Sequence, residues 1–463
     1  MVNFKKKHPD FRVYEKSANR TEGGETILLA EKDNKKFVVS GKEDFRFQPA
    51  EESAAFLRGL FPWLRAKPCG LKNSFGFGDR LGTATPGHIR ALKNHDFFPV
   101  FAQQSVREIE RTGRSFQKVM DAAATGCFQE GYKGGFGADA DHIKDLNNMQ
   151  KALSAGFTFF TLDSSDKIRN PEKLKGAERQ KILQKYSQEY EKAYLGRKYP
   201  FGGIAYEFTK DELQNLVLTY AESIDYIEEC YRFLKARSSS FDFEVSVDET
   251  PIPTTPLAHI LIADTLRERG VEVQSLAFRF PGSFEKGIDY KGDAELFERD
   301  LAAHQSIREK AGNYKISLHS GSDKFSVYPA FKKILGDKIH VKTAGTSWVE
   351  AVKVIAEKNF PLFLEILECG ITNFEKHAAS YEISAKPELI DMKNLKNTEV
   401  AALFADNNIR QVVHISYGTI LSEEDSAGRF IYRNRFFEVL NNNEELYYGF
   451  LEAHLGKHLE LLK

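Results

Sequence analysis

The chain has no surplus of charge: 65 lysines and arginines face 66 aspartates and glutamates, a formal net charge of −1. Without an overall field there is little to hold nucleic acid or an anionic membrane surface, and a small molecule is the expected partner. Long apolar runs are missing as well: HILIA and FPLFL, the longest candidates, fall far short of the roughly 18 residues that a membrane-spanning helix needs. Cysteine is scarce, and Cys69, Cys127, Cys230 and Cys369 are widely spaced without a CxxC pair, which argues against a disulfide framework. The opening MVNFKKKHPDFRVYEK lacks the apolar core of a signal peptide, so a reduced, cytoplasmic protein is expected.

Nucleotide fingerprints are absent too. The glycine-rich segment GFGDRLGTATPGH, residues 76–88, spaces its glycines as Gly76-x-Gly78-x-x-x-Gly82, and Asp96 lies in NHDFFP rather than at a strand end. A dinucleotide loop needs GxGxxG with an acidic residue about twenty positions on, and GxxxxGK[ST] does not occur; no NAD is expected. Thr85 and Pro86 read as an N-cap and a first helical position, and the glycines as leaving room for substrate or for Asp79 and Arg80 to approach it.

What is present is an alternation of short apolar strand, polar strand end and amphipathic helix. Residues 1–69 read as an appendage, with the β-like runs TILLAE and KFVVSG joined by a charged turn, then the helical EESAAFLRGLFPWLRA. Eight strands follow: SFGFGD, PVFAQQ, GFGADAD, FTFFTLD, FEVSVDE, SLAFRFPG, KISLHSG and IHVKTAG, each trailed by helix-like sequence. This pattern predicts an α/β fold, a (β/α)8 TIM-type barrel over residues 70–359. Residues 166–240 are rich in charged helix formers and too long for a structureless loop, so a helical insertion is expected there, at the top of the barrel where it could form a lid. Residues 360–463 read as a mainly helical extension that either covers the site or makes a subunit contact.

Alternate side chains of a barrel strand face inward, and catalytic groups gather at the C-terminal strand ends. The alternation turns inward Ser317 and His319, His340 and Lys342, and Ser246 and Asp248, with Glu249 at the strand end. Arg279 is the inward residue near the end of its strand, and GFGADADHIK ends in Asp139, Asp141 and His142. Single inward polar residues also form hydrogen-bonded layers, but imidazoles, carboxylates and bases at several strand ends point together to chemistry. His142, His319 and His340, from three strands, are candidate ligands of a divalent metal with an open position, with Asp163 and His414 as alternates. Imidazole suits zinc, nickel, manganese or iron.

The segments GFGDRLGTATPGH, AQQSVREIERTGR, GFGADADHIK, LDSSD, SVDET, LHSGSDKFS and HVKTAGTSWVEA together resemble the tagaturonate epimerase family over roughly residues 70–350. The resemblance implies an isomerase, a metal-dependent epimerase that inverts C4 of 2-keto-hexuronates and interconverts D-tagaturonate and D-fructuronate in hexuronate catabolism. The family includes enzymes that 4-epimerise free ketohexoses, so tagatose and fructose stay open as substrates. Asp141-His142 is also similar to the Asp-His pair of class II aldolases, in which the histidine binds zinc and the aspartate moves the proton. LHSGS is similar to their His-Gly-Gly-Ser ligand segment, with Ser320 in place of the first glycine; their third ligand has no counterpart.

C4 of a 2-keto-hexuronate is two carbons from the C2 carbonyl and two from the C6 carboxylate, so neither acidifies its hydrogen. Retro-aldol cleavage of C3–C4 with re-addition, or carbonyl migration to C3 followed by deprotonation at C4, both suit a metal acting on the C2 carbonyl and C3 hydroxyl. On this reading Asp141 takes the C4 hydroxyl proton, and Glu249, with Asp248 nearby, delivers a proton to the other face or to the re-forming hydroxyl. Arg80, Arg279 and Lys342 are candidates to hold the carboxylate, and Gln103 and Lys324, in the resembling segments, are further substrate-binding candidates. Two rivals stay open. One is an aldolase acting on a keto sugar, class II-like or using Lys342 as Schiff-base nucleophile, since KTAG resembles the lysine motif of deoxyribose-phosphate aldolase. The other is a sugar-binding barrel without turnover. The oligomeric state is open, a homo-oligomer included.

Overall fold

The computed structural model describes residues 2–463 apart from 43, 251, 398 and 399. At its centre eight parallel strands close into a barrel: Ser74–Gly78, Phe98–Ser105, Gly137–Ile143, Phe159–Asp163, Asp242–Ser246, Ser275–Ala277, Lys315–Leu318 and Ile339–Thr343. The eighth strand closes on the first, with His340 opposite Ser74 and Lys342 opposite Gly76. Phe75, Phe77, Ile316, Leu318, Ile339 and Val341 are buried in the apolar core, and Phe77 stacks on His88 of the following helix. The intervening positions carry polar groups into the interior, where Lys315 reaches Ser74 Oγ across the barrel floor at 2.8 Å. The period of two read in the sequence is thus the wall of the barrel.

Side-chain caps start the helices that return to the sheet. Ser105 and Glu108 form a capping box, and Ser115, Asp145, Thr255 and Asp293 each accept a backbone N–H from the first turn. Each such cap is worth about 1 kcal/mol and fixes where a strand end turns into a helix. After the first strand Asp79 serves this purpose, accepting from the N–H groups of Leu81, Gly82 and Ala84. Thr85 is therefore the first helical residue rather than the cap.

The strands Arg12–Arg20, Thr26–Lys32, Lys35–Gly41 and Arg46–Pro49 form an antiparallel sheet ahead of the barrel, with Asp33 and Asn34 both left-handed in the tight central turn. Between the fourth and fifth barrel strands, the helices Gly176–Tyr194 and Lys210–Lys235 pack along each other and are linked by a small hairpin. Tyr194 meets Thr265 Oγ1 at 2.7 Å and Arg269 meets Asp225 at 2.7 Å, so this insertion lies against the helix Pro256–Glu268 on the barrel's flank. No described residue of 166–240 lines the cavity at the mouth, which corrects the lid expected there. The insertion's apolar face is taken up by the outer helix, and Ala379–Glu382 of the C-terminal extension border the mouth instead.

The last helix, Glu444–Leu461, packs on Thr85–Leu92, with Leu451 seated against Gly87. It is clasped to the loop after the seventh strand: His454 Nε2 lies 2.6 Å from Asp323 Oδ1 and the Asp323 N–H donates to His458 Nε2 at 3.0 Å, while Arg410, from the helix Asn407–Ser422, lies 2.9 Å from Asp323 Oδ2. Among the described residues no helix is long and apolar enough to cross a membrane, and the four cysteines are unpaired and buried.

Candidate active site

A cavity of about 840 Å³ opens at the C-terminal end of the barrel. His142, in the third strand, has φ 52°, a conformation that β-strand residues other than glycine rarely adopt and that tends to persist where function requires it. Its ring faces that of His319, with centroids 4.9 Å apart. Asp248, just beyond the fifth strand, lies between them, 3.2 Å from His319 Nδ1 and 3.8 Å from His142 Nε2. The far nitrogen of each ring rests on a buried carboxylate: Asp141 at 2.8 Å from His142 Nδ1, and Glu244 at 2.7 Å from His319 Nε2. Outer carboxylates of this kind fix the tautomer and orientation of metal-binding imidazoles. The inward donor atoms of His142, Asp248 and His319 lie within 4.8 Å of one another, and buried His319 Nδ1 has Asp248 3.2 Å away but in no well-formed hydrogen bond. Two imidazoles and a carboxylate that converge without a well-formed hydrogen bond among their inward atoms fit a divalent cation with an open position.

One layer deeper, Lys342 Nζ meets Asp139 at 2.6 Å, Glu244 at 2.8 Å and Asp141 at 2.9 Å, and donates to the Thr161 hydroxyl. Asp139, Asp141 and Glu244 are buried against this one ammonium, and half-buried Asp248 adds a fourth carboxylate beside the imidazoles, so the remaining negative charge calls for protonated imidazoles or a bound cation. Burial opposes ionisation of both carboxylates, yet Lys342 holds Asp141 and Glu244 well below the usual carboxylate range. Burial likewise opposes the charge on Lys342, and Asp139, Asp141 and Glu244 hold it well above its ordinary value. Asp139 moves the other way, pushed up to about 6 chiefly by burial. Against the pull of burial, Asp141 raises His142 well above its ordinary value and Asp248 raises His319. A Schiff-base nucleophile has to be a neutral amine, so a lysine locked as an ammonium by three carboxylates disfavours the Lys342 aldolase reading.

Gln103, Arg80, Asp163, Glu249 and Arg279 also line the cavity. Gln103 Oε1 is buried without a partner, and the glycine segment accounts for its place: a Cβ on Gly76 would collide with that oxygen, and one on Gly78 with the backbone of Thr343 and Ala344. Arg80 is held by Glu108 at 2.7 Å, by the His414 carbonyl at 2.8 Å and over the Tyr417 ring at 3.8 Å. Arg279 lies 3.1 Å from Glu382, and Glu249 lies 3.5 Å from Arg107 at the rim. Asp163 accepts from the Ser165 N–H at 2.9 Å and faces Lys144 at 3.3 Å, outside the imidazole group.

Three expected site residues are not brought to the cavity. His340 sits a layer too deep: it pairs with Ser317, two residues before His319, and its ring lies 2.8 Å from Ser74 Oγ and 5.1 Å from the Phe159 ring centre. His414 is packed behind the eighth strand's exit against Gly345 and Gly287. Lys324 is fully buried, its ammonium donating to the carbonyls of Glu285, Ile288 and Ser322 at 2.8, 2.6 and 2.9 Å, and burial pushes its pKa down to about 7. The sequence reading passed over Glu244 and Thr161, although the alternation that turned Ser246 inward also turns Glu244 inward two positions earlier. Lys286 and Tyr381 arrive on connections that carry no periodic signal.

A sequence model of the tagaturonate epimerase family matches residues 14–462. The tagaturonate/fructuronate epimerase of Thermotoga maritima is 45% identical over 98% of this chain and 97% of that protein. The glycerol-complexed crystal structure of fructuronate-tagaturonate epimerase from Cohnella laeviribosi superposes with a TM-score of 0.94 at 34% identity, covering 100% of this chain and 98% of that one. Its native crystal structure gives 0.93 at 35% identity over the same shares. Likeness of this extent covers the appendage, the barrel and the extension together: the chain is a carbohydrate epimerase and belongs to the tagaturonate epimerase family.

Proposed function

We propose that the chain inverts C4 of 2-keto-hexuronates, interconverting D-tagaturonate and D-fructuronate, with a divalent ion held by His142, His319 and Asp248. The observation that carries this reading is the pair of imidazoles, each backed by a buried carboxylate and both converging with Asp248 on one point at the barrel mouth. The substrates named for the relatives support the choice of sugar, and the near-zero net charge fits a small sugar acid better than a macromolecular partner. A zinc, nickel or manganese ion bound there would supply Lewis acidity toward the C2 carbonyl and C3 hydroxyl.

The remaining work falls to the chain's own groups. Asp141 uses Oδ1 for His142 and Lys342, which keep it ionised, and Oδ2 is left to take the C4 hydroxyl proton as the C3–C4 bond breaks. The C4–C6 fragment, now an aldehyde at C4, turns within the cavity and presents its other face. C3 re-adds, and the C4 oxygen recovers the same proton from Asp141, directly or relayed through Glu249 at the rim. Lys342 holds the carboxylate layer fixed throughout, so that orientation is set before substrate arrives. Free ketohexoses lack the C6 charge and are the weaker substrates on this account.

Incubating the purified protein with D-tagaturonate in deuterated water and following the sugars by NMR tests both levels. D-fructuronate bearing the original hydrogen at C4 is expected. Absence of D-fructuronate would overturn the proposed activity, and deuterium at C4 would replace bond cleavage by a carbonyl shift.

A further inference from the structure

Cations at the cavity are almost all matched by carboxylates of the chain itself. Lys342 meets three, Arg80 sits on Glu108, Arg107 faces Glu249, Lys144 faces Asp163 and Asp166, and Arg279 pairs with Glu382. Lys286 differs. Its ammonium lies 2.7 Å from Ser320 Oγ and 5.9 Å from the centre of the Tyr381 ring, and among the described residues no carboxylate is within ion-pair distance of it. Ser320 directly follows His319, and both line the cavity, so this unmatched charge stands beside the imidazole pair.

The backbone under Lys286 is unusually well fixed. Four consecutive carbonyls each accept from a side chain reaching in from elsewhere: Lys324 to Glu285 at 2.8 Å and to Ile288 at 2.6 Å, Gln411 to Lys286 at 3.1 Å, and Arg410 to Gly287 at 2.8 Å. Loop carbonyls are ordinarily left to water, and tying down a whole turn restricts where its one outward side chain can go. A rigid base under an ammonium that no protein group neutralises is the arrangement expected of a preorganised anion contact.

We propose that Lys286 anchors the C6 carboxylate of the hexuronate, and that Lys324, Arg410 and Gln411 are its positioning residues. The inference rests on the reading of the cavity as a hexuronate site, and adds the residue that tells a uronate from a neutral ketohexose. A carboxylate accepts a charge-assisted hydrogen bond from the ammonium, whereas the primary alcohol of a ketohexose offers only a neutral one. Lys324, deep in the protein, then acts through Lys286 rather than on the sugar.

Calorimetric binding of D-tagaturonate and of D-tagatose, with turnover of D-tagaturonate in parallel, tests the proposal on the metal-loaded wild type, Lys286→Met and Lys286→Arg. Lys286→Met should weaken D-tagaturonate binding and raise KM by roughly 10- to 100-fold, with kcat and D-tagatose binding changed much less, and Lys286→Arg should recover most of the loss. Unchanged D-tagaturonate affinity in Lys286→Met, an equal loss for D-tagatose, or no binding by the wild type would overturn it. Binding without turnover by the wild type would instead contradict the epimerase reading and leave the anchor readable from affinity. Lys324→Gln should raise KM while sparing kcat and add little on top of Lys286→Met; fully additive losses would show that it does not act through Lys286.

Discussion

Glu244 joins the two halves of the site, since one carboxylate holds both His319 Nε2 and Lys342 Nζ. Glu244→Gln keeps the shape but removes the charge that orients the imidazole and balances the ammonium. Bound divalent ion and kcat/KM should each fall by about 10- to 100-fold, read by metal analysis and steady-state kinetics; an unchanged ion content would separate Glu244 from the metal. Borohydride added with D-tagaturonate should leave Lys342 unmodified by mass spectrometry, because its ammonium is held well above its ordinary pKa by three carboxylates; a labelled Lys342 would revive the Schiff-base route. His142, His319 and Asp248 point to the mouth in the sequence because each stands at or just past the polar end of an apolar strand, although Asp248 reads there as a proton-transfer group rather than a ligand. His340 was misplaced because inward orientation says nothing of depth, and a residue two positions early on a barrel strand lies a full layer down. Lys324 carried the right charge in a resembling segment, but whether it faces sugar or backbone depends on a turn from another part of the chain.

The elements differ in how far their roles could be foreseen. Helices of the insertion are visible in composition, while the surface they pack on is not, because charged helix formers mark the exposed face and leave the partner of the buried face open. The last helix offers a test at this scale. Burial disfavours the His454 charge, but Asp323 and then Glu350 raise its pKa above 6.5, with Arg410 opposing; neighbouring His458 is pushed down to about 3 by burial and by His454, and stays neutral. A raised histidine contributes stability in full below its unfolded value, and that contribution is lost as pH rises through the folded value. Thermal stability should therefore decline as the pH rises above 6.5 and through the raised folded value, by a part that His454→Asn removes along with roughly 2 kcal/mol of stability near pH 6. Identical pH profiles for the two proteins would show that the clasp does not hold the helix through this charge.

For the whole molecule, the eight strands and their closure were legible because each repeats the same local signal, an apolar run with a polar end followed by a helical period. That the C-terminal extension reaches the site was one of two alternatives open in the sequence; which of its residues border the mouth, Ala379–Glu382, was not legible, since that contact joins segments far apart in the chain and its fit is set by shape. The proposed ligands come from the third, fifth and seventh strand regions of a barrel whose core of Phe, Ile, Leu and Val side chains is complete without them. Removing the ion should consequently abolish turnover while the far-ultraviolet circular dichroism of the barrel persists; loss of the helical spectrum on chelation would make the ion part of the fold instead.

Whether C4 epimerisation depends on an ion at His142, His319 and Asp248 is decided by following conversion of D-tagaturonate to D-fructuronate before chelation, after exhaustive chelation, and after return of zinc, nickel or manganese, with the ion content measured at each stage. Activity that disappears with the ion and returns on adding one of them is the predicted result. Full activity in protein shown to hold no ion would contradict it.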